Sequence, residues 1–98
     1  MKKLNSNIII EKIKKERRKL KEKGVRKIGL FGSYAKDDQK QKSDIDFLIE
    51  FKTVDFDKYL YILNLLEKIF QRKIDLVIEK DLKPELKYVR NEAKYVKI

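Results

Sequence analysis

The sequence predicts a small α/β fold in which a three-stranded mixed sheet is flanked by helices. Two observations support this prediction. Apolar residues recur with helical spacing near both ends and in the middle of the chain, and three short runs between them are typical of strands, the first mostly apolar and the other two alternating apolar and polar residues. The predicted order of elements is α-β-(short α)-β-α-β-α. We expect residues 1–98 to form a single domain.

The first predicted helix covers residues 5–23, begins at a cap formed by Ser6 or Asn7, and ends at Gly24. Its basic face predicts either an ordinary solvated surface or a contact with RNA or an acidic partner. Its apolar stripe consists of Ile9, Ile13 and Leu20.

Two strands are predicted on either side of a polar connection. Residues 25–31 form the first strand, which Gly32 and Ser33 close. A short helical start at residues 33–36 and a polar loop at residues 37–42 follow. The second strand, residues 43–51, carries Ile45, Phe47 and Ile49 on one face and Asp44, Asp46, Leu48 and Glu50 on the other.

The second half of the chain predicts a helix, a strand and a final helix. Residues 55–71 form a helix capped by Thr53 or Asp55, and residues 73–79 form the third strand. A last helix begins at Pro84 and carries Leu86, Val89, Ala93 and Val96, and its final residues are expected to be either helical or extended. The middle helix is so apolar that part of its surface is expected either to pack in the core or to form an interface. Its stripe consists of Phe56, Tyr59, Leu60, Leu63, Leu66 and Phe70, which Tyr61, Ile62, Leu65 and Ile69 widen.

Composition limits the chemistry that the chain can perform. With neither cysteine nor histidine, any metal must bind to oxygen ligands, which favours Mg²⁺, with Mn²⁺ or Ca²⁺ also possible. The net charge of +10 favours an acidic partner such as a nucleotide, RNA or an acidic protein surface. No run is long enough to cross a bilayer and no signal peptide is present, so a cytoplasmic location is expected.

The candidate site combines a Gly-Ser turn with three aspartates. Gly32 and Ser33, at the end of one strand, can offer backbone N–H groups and a hydroxyl to a phosphate. Asp44 and Asp46 are two residues apart on a strand, so their carboxylates point the same way. If the first two strands are antiparallel and the middle helix returns the chain parallel to the second strand, Asp75 joins them at the same sheet end.

Three crowded carboxylates repel one another unless cations neutralise them. Two Mg²⁺ ions about 3.5–4 Å apart could be held by Asp44, Asp46 and Asp75, an arrangement that serves in-line displacement at phosphorus. Asp-x-Asp alone is a weak signal, because aspartates at strand starts are often caps or turn residues. Its combination with the Gly-Ser turn and with an in-phase third aspartate favours the catalytic interpretation.

The segment G-S-Y-A-K-D-D-Q-K-Q-K-S-D-I-D-F-L-I resembles the G-S-x-A-x-G-x(n)-S-D-x-D-[LF] signature of the nucleotidyltransferase superfamily that includes DNA polymerase beta. The brevity of the chain, I-D-L-V-I and the ending L-K-P-E-L-K-Y-V-R-N-E-A are similar to minimal nucleotidyltransferases. The resemblance implies that Gly32 and Ser33 hold the β- and γ-phosphates of ATP. It also implies that Asp44 and Asp46 bind both metal ions and that Asp75 is the third carboxylate.

The sequence departs from this signature where family members often have Arg-Gly after the alanine. Lys36 keeps the positive charge, whereas Asp37 replaces the glycine and is compatible with phosphate binding only if it faces solvent. Tyr34 and Lys36 are each expected either to contact the nucleotide or to have a packing or solvent role.

Minimal members of this family resemble the antitoxin of a pair with a HEPN-domain ribonuclease toxin. The resemblance therefore implies transfer of AMP from ATP to a tyrosine hydroxyl of that partner, in a hetero-oligomer. Two alternatives stay open: transfer of a nucleotide to RNA or a small molecule, and a non-catalytic antitoxin that acts by binding alone. The absence of a second domain to hold an acceptor favours a protein partner.

Overall fold

The computed structural model describes residues 4–39 and 44–98. The start of the predicted second strand at Ser43 and part of the predicted polar loop lie outside these residues. Short 3-10 turns at Glu79–Asp81 and Pro84–Leu86 precede the last helix. The helices are α1 (Ser6–Lys15), α2 (Arg17–Glu22), α3 (Phe56–Phe70) and α4 (Val89–Glu92), and the strands are β1 (Val25–Phe31), β2 (Ile45–Phe51), β3 (Ile74–Ile78) and β4 (Lys94–Lys97).

Within the described residues the strands form one four-stranded sheet in the order β3-β2-β1-β4. β1 and β2 are antiparallel, whereas β2 and β3 are parallel because α3 carries the chain back between them. The predicted class, a mixed sheet flanked by helices, is confirmed. The sheet has one strand more than predicted.

The additional strand arises where the sequence predicted the end of a helix. α4 stops at Glu92, and β4 pairs antiparallel with β1, so that Val96 lies opposite Ile28. Of the two conformations predicted for the final residues, helical and extended, the extended one is confirmed. Without β4, the outer edge of β1 would expose unpaired backbone N–H and C=O groups, so a sheet contact replaces the helix that the apolar spacing suggests.

The predicted first helix is divided into α1 and α2 at Glu16, whose N–H donates to the carbonyl of Ile13 in a tighter turn. Its cap is Asn5, whose side chain accepts a hydrogen bond from the Ile8 N–H at 2.9 Å, rather than Ser6 or Asn7. The apolar stripe is confirmed, because all of its members are buried: Ile9, Ile13 and Leu20.

The sheet has helices on one face and the C-terminal segment on the other. The main core lies between the helices α1 to α3 and the first face, to which β2 contributes Ile45, Phe47 and Ile49. Leu82 and Val89 cover the middle of the opposite face, where they pack with Leu48 and Val77. The predicted alternation of β2 is confirmed, and Asp46 lies on the face that the C-terminal segment covers only in part.

α3 begins at the predicted Asp55 cap, which accepts hydrogen bonds from the N–H groups of Asp57 and Lys58. Within the predicted stripe, Leu66 and Phe70 are buried, and Tyr59 and Leu63 pack against the main core. Phe56 and Leu60 are the exceptions, since they are 72% and 37% exposed. The buried residues of α3 are Ile62, Leu66 and Phe70.

No helix in residues 4–39 or 44–98 combines the length and the apolar character that a membrane crossing requires.

Candidate functional site

Gly32 brings the end of β1 against the second strand. Phe31 pairs with Asp46 across the antiparallel ladder, and Gly32 follows with φ of 74°, a left-handed conformation that favours glycine. A Cβ atom at Gly32 would collide with the Asp46 carboxylate. The glycine therefore allows backbone and carboxylate to approach more closely than any side chain would permit.

Residues 33–37 form a compact turn instead of the predicted helical start. The Asp38 N–H donates to the Ser33 carbonyl at 2.8 Å, and the Lys36 N–H donates to the Gly32 carbonyl at 3.3 Å. Tyr34 is 2% exposed and belongs to the main core. Its role is thus packing, and it anchors the turn that begins at Gly32 and Ser33.

The sheet register brings the predicted carboxylates to one end. Asp46 pairs with Asp75 across the parallel β2–β3 ladder, in which neighbouring strands lie about 4.8 Å apart. Asp44 directly precedes β2 and is two residues from Asp46. The predicted strand arrangement that places Asp75 beside the Asp-x-Asp pair is confirmed.

The half-buried carboxyl of Asp46 experiences the strongest electrostatic effect at this sheet end. Burial, followed by the charges of Asp75 and Asp44, raises its pKa from the ordinary 3.8 to about 6, and a side-chain hydrogen bond with Asp75 adds to the effect. Without a cation, the carboxylates are therefore crowded enough to favour retention of a proton.

The donor set at this end consists of carboxylate oxygens, which suit hard divalent cations. Asp46 and Asp75 lie side by side, and the charge of Asp44 acts on Asp46. Within the described residues, no group of three acidic side chains converges closely enough to form a ready-made metal site. The aspartates thus fit Mg²⁺ in chemistry and in strand position, and binding would draw their carboxylates together.

A cleft of about 500 Å³ opens beside Gly32 and Asp75 on the face covered by the C-terminal segment. Val77 and Leu82 contribute apolar surface to it, and Tyr88, which is 57% exposed, stands at its wall. Lys36 also lines the cleft, and its ammonium lies 3.4 Å from the carboxylate of Glu92. The cleft therefore offers both apolar and cationic surface next to the carboxylates.

Asp37 has a partner that sequence reasoning missed. Its φ of 53° is the left-handed conformation in which family members have glycine, and its carboxylate accepts hydrogen bonds from the Ser6 N–H at 3.2 Å and the Ser6 hydroxyl at 3.3 Å. Lys94 donates to the same hydroxyl at 3.0 Å. Asp37 thus ties the turn to α1 and β4. The departure from the signature was visible in the sequence, but Ser6 is too distant along the chain to be recognised as its partner.

Comparisons with known proteins agree with this geometry. Residues 10–97 match the model of the family described as "Nucleotidyltransferase domain". The protein adenylyltransferase MntA of Thermococcus cleftensis is 37% identical over 75 residues, covering 74% of this chain and 76% of that protein.

Solved structures have the same fold. A minimal nucleotidyltransferase superposes with a TM-score of 0.81 at 22% identity, covering 96% of this chain and 98% of the other. A second neighbour is from the complex of the MNT antitoxin with the tri-AMPylated HEPN toxin of Shewanella oneidensis. It superposes with a TM-score of 0.64 at 22% identity, covering 92% of this chain and 70% of that one. The extent of the family match and the identity to MntA establish that this chain belongs to the nucleotidyltransferase domain family and is a nucleotidyltransferase enzyme.

Proposed function

We propose that this enzyme transfers AMP from ATP to a tyrosine hydroxyl of a HEPN-domain partner, and that it thereby acts as the antitoxin of a toxin–antitoxin pair. The observation that carries the proposal is the alignment of Phe31 with Asp46 and of Asp46 with Asp75 across adjacent strands. This register places the Gly32–Ser33 turn next to the carboxylates. A triphosphate held at the turn would therefore present its α-phosphorus to them.

Asp44, Asp46 and Asp75 would hold Mg²⁺, two ions being the expected number. When bound, the metal neutralises the carboxylates, polarises the phosphate oxygens and stabilises the charge that develops on the leaving group. The raised pKa of Asp46 supports this assignment, because a cation is the group that would relieve the charge crowding that raises it.

The turn supplies phosphate contacts from the backbone. Gly32 has no side chain to obstruct an approaching phosphate, and the N–H of Ser33 together with its hydroxyl is available to the β- and γ-phosphates. Because Tyr34 anchors the turn in the core, these donors are held in place before ATP arrives.

In the proposed reaction, the acceptor oxygen attacks the α-phosphorus of ATP. A new bond forms between that oxygen and the α-phosphorus, the bond from the α-phosphorus to the bridging oxygen breaks, and pyrophosphate leaves. Asp75, at the outer strand of the three, would accept the proton of the attacking hydroxyl. Asp44 and Asp46 would remain on the phosphate side.

The acceptor is expected to come from a protein. The MNT antitoxin that shares this fold is in complex with an AMPylated HEPN toxin, and MntA is a protein adenylyltransferase. A reaction that consumes ATP in such a pair belongs in the cytoplasm.

The decisive experiment incubates the protein, Mg²⁺ and the HEPN-domain protein of the same genome with ATP labelled on either the α- or the γ-phosphate. We expect the partner to acquire the α-label but not the γ-label, since pyrophosphate is released. Asp44→Asn and Asp46→Asn should each reduce labelling at least a hundredfold, whereas Asp57→Asn, an exposed change on α3 remote from the carboxylates, should leave it intact.

The alternatives give different results in the same assay. Labelling of RNA or of a small molecule in place of the protein would assign another acceptor. If the Asp44→Asn/Asp46→Asn double variant neutralised the ribonuclease activity of the partner as well as wild type does, binding alone would account for the antitoxin role and the proposed transfer would be wrong.

A further inference from the structure

The sheet carries a second cleft, of about 860 Å³, at the end opposite the carboxylates. It is bordered by the start of β1, the residues that follow β2 and the end of β3. From Asp46 to Lys52 the chain advances six residues, or roughly 20 Å along an extended strand. This second cleft is therefore separate from the candidate catalytic site.

A buried carboxylate organises one wall of this cleft. Glu79 is 7% exposed and accepts a hydrogen bond from the Tyr95 hydroxyl at 2.7 Å. The Lys27 ammonium lies 3.4 Å from one carboxylate oxygen of Glu79, and the Arg90 Nε lies 3.4 Å from the other. The Lys27 ammonium also lies 4.5 Å from the centre of the Tyr95 ring. One carboxylate thus fixes two cationic side chains, which leaves this wall with excess positive charge.

Three further cations line the cleft. They are Arg26, Lys52 and Lys80, and each is exposed. Within the described parts of the chain, none of them lies within ion-pair distance of a carboxylate. On the basic face of α1 and α2, Lys14 and Lys19 pair with Glu11 and Glu16. The cleft therefore concentrates uncompensated positive charge.

The rim of the cleft is apolar. Val54 lines it and is 39% exposed, and Phe56, two residues further along, is 72% exposed. Aromatic and arginine side chains are enriched in protein interfaces, so an exposed phenylalanine two residues from a cleft that contains arginine fits such an interface. Interfaces with nucleic acids are more polar than this, and they do not call for exposed apolar side chains such as Val54 and Phe56.

We propose that this basic cleft, together with Val54 and Phe56, is a docking site for an acidic segment of a partner protein that also carries apolar side chains. The inference rests on the proposed function for the existence of a protein partner. Docking at the end remote from the carboxylates would supply affinity and leave the catalytic end free to receive the acceptor hydroxyl. The cleft would thereby hold the protein substrate while the transfer takes place at the other end of the sheet.

The test compares two variants with the same change in net charge. The cleft variant carries Arg26→Glu, Lys52→Glu and Lys80→Glu, and the control carries Lys15→Glu, Arg17→Glu and Arg18→Glu on the exposed face of α1 and α2. The probe is a fluorescent peptide of Glu-Glu-Leu repeats, measured by polarisation at about 0.15 M salt. We expect the cleft variant to bind about tenfold or more weakly and the control to stay within about twofold of wild type.

Further measurements distinguish apolar from electrostatic contributions to binding, and a peptide ligand from RNA. Phe56→Ser should weaken the peptide of Glu-Glu-Leu repeats but not one of Glu-Glu-Ser repeats, because only the former has an apolar anchor. Equal losses in the cleft and control variants, or no loss in either, would overturn the proposal. Tighter binding of a single-stranded oligouridine RNA than of the peptide, lost in the cleft variant, would assign the cleft to nucleic acid instead.

Folding and catalysis are monitored separately. Each variant is checked by its melting temperature, and Arg26→Gln/Lys52→Gln/Lys80→Gln replaces the charge reversal if that variant is destabilised. With the HEPN-domain protein as substrate, the cleft variant should raise the KM for that partner about tenfold and leave the KM for ATP unchanged. If wild type labels the partner but the cleft variant has the same KM, the docking inference fails and the proposed function stands. If wild type does not label the partner but the peptide binds as expected, the proposed function fails and the docking inference stands.

Discussion

Gly32 has a backbone conformation and a neighbour that together exclude a side chain. Its positive φ disfavours other residues, and the Asp46 carboxylate occupies the space of a Cβ atom. Gly24 has a similar φ of 79°, but the nearest atom to its Cβ position is the Lys58 ammonium at 4.0 Å. A side chain at Gly24 would therefore cause backbone strain alone, whereas one at Gly32 would cause strain and a collision with Asp46.

Gly32→Ala is expected to reduce kcat/KM at least a hundredfold, because the added methyl group must displace Asp46 and change the turn. Gly24→Ala should lower the melting temperature through strain of about 1 kcal/mol but leave kcat/KM within about threefold of wild type. Steady-state transfer kinetics and thermal unfolding of both variants provide the test. Equal loss of activity in the two variants would show that the collision with Asp46 has no catalytic consequence.

Asp46 predicts an unusual pH dependence for the metal-free protein. Its pKa of about 6 in the folded state exceeds its ordinary value of 3.8, so the folded state retains a proton that the unfolded chain has lost. Stability from this group is hence present below about pH 4 and decreases as pH rises to about 6.

Asp46→Asn should therefore stabilise the metal-free protein at pH 7 while it abolishes transfer. Because the carboxyl is half exposed, solvent screens its charge, and the expected gain in the free energy of unfolding is about 1 kcal/mol. This corresponds to a rise of about 4–8 °C in melting temperature. Thermal unfolding in EDTA between pH 4 and pH 8 measures it, and the advantage of the variant should vanish near pH 4. A variant less stable than wild type at pH 7 would contradict the assigned charge crowding.

At the scale of elements, the Ser6–Asp37–Lys94 contacts connect α1, the turn after β1 and β4. These hydrogen bonds hold the turn from outside, whereas Tyr34 holds it from the core. Asp37 serves two purposes, since its side chain accepts from Ser6 and aspartate tolerates the left-handed conformation better than most residues. This explains how the chain functions without the glycine common in its family.

Asp37→Ala should raise the KM for ATP about fivefold or more and change kcat little, because it loosens the turn that receives the phosphates. Asp37→Asn should restore most of the affinity, since an amide oxygen still accepts from the Ser6 N–H. Asp38→Ala, the exposed neighbour with no side-chain hydrogen bond among those described, is the matched control. If initial rates gave an unchanged KM for ATP in Asp37→Ala, Asp37 would have no role in positioning the turn that receives the phosphates.

At the scale of the whole molecule, the sheet includes a pairing between β1 and β4, which lie far apart in the sequence. β4 covers the outer edge of β1 and inserts Val96, which is 3% exposed, into the main core. The sheet thus has β3 and β4 at its borders. On the β3 side, the Tyr59 hydroxyl donates to the Leu76 carbonyl at 2.6 Å, which satisfies one group of that open edge.

Val96→Asp is expected to destabilise the protein by about 3 kcal/mol or more, because it buries a carboxylate and removes apolar contacts. The melting temperature should fall by more than about 10 °C. Lys97→Asp, on the exposed position that follows, should change it by less than about 3 °C. Thermal unfolding decides the matter, and similar small effects for the two variants would contradict a buried β4.

The strand positions of the candidate site residues and most of the sheet could be predicted from local patterns. Strand alternation placed Asp44 and Asp46 on one side, and the length of α3 placed Asp75 beside them, because a crossover helix obliges the next strand to run parallel. The resemblance to nucleotidyltransferases rests on the same residues. These properties depend on neighbours in sequence or on a single connection, which is why sequence alone determined them.

Only the tertiary structure decided which apolar residues are covered and which polar residues meet. The helical spacing that includes Val96 gave way to pairing with β1, and Phe56 proved exposed although it continues the stripe of α3. Ser6 meets Asp37, and Glu79 meets Lys27, across distances that no periodicity records. The physical reason is that backbone groups at a sheet edge and buried charges must find partners wherever the folded chain brings them, and this requirement overrides local preference.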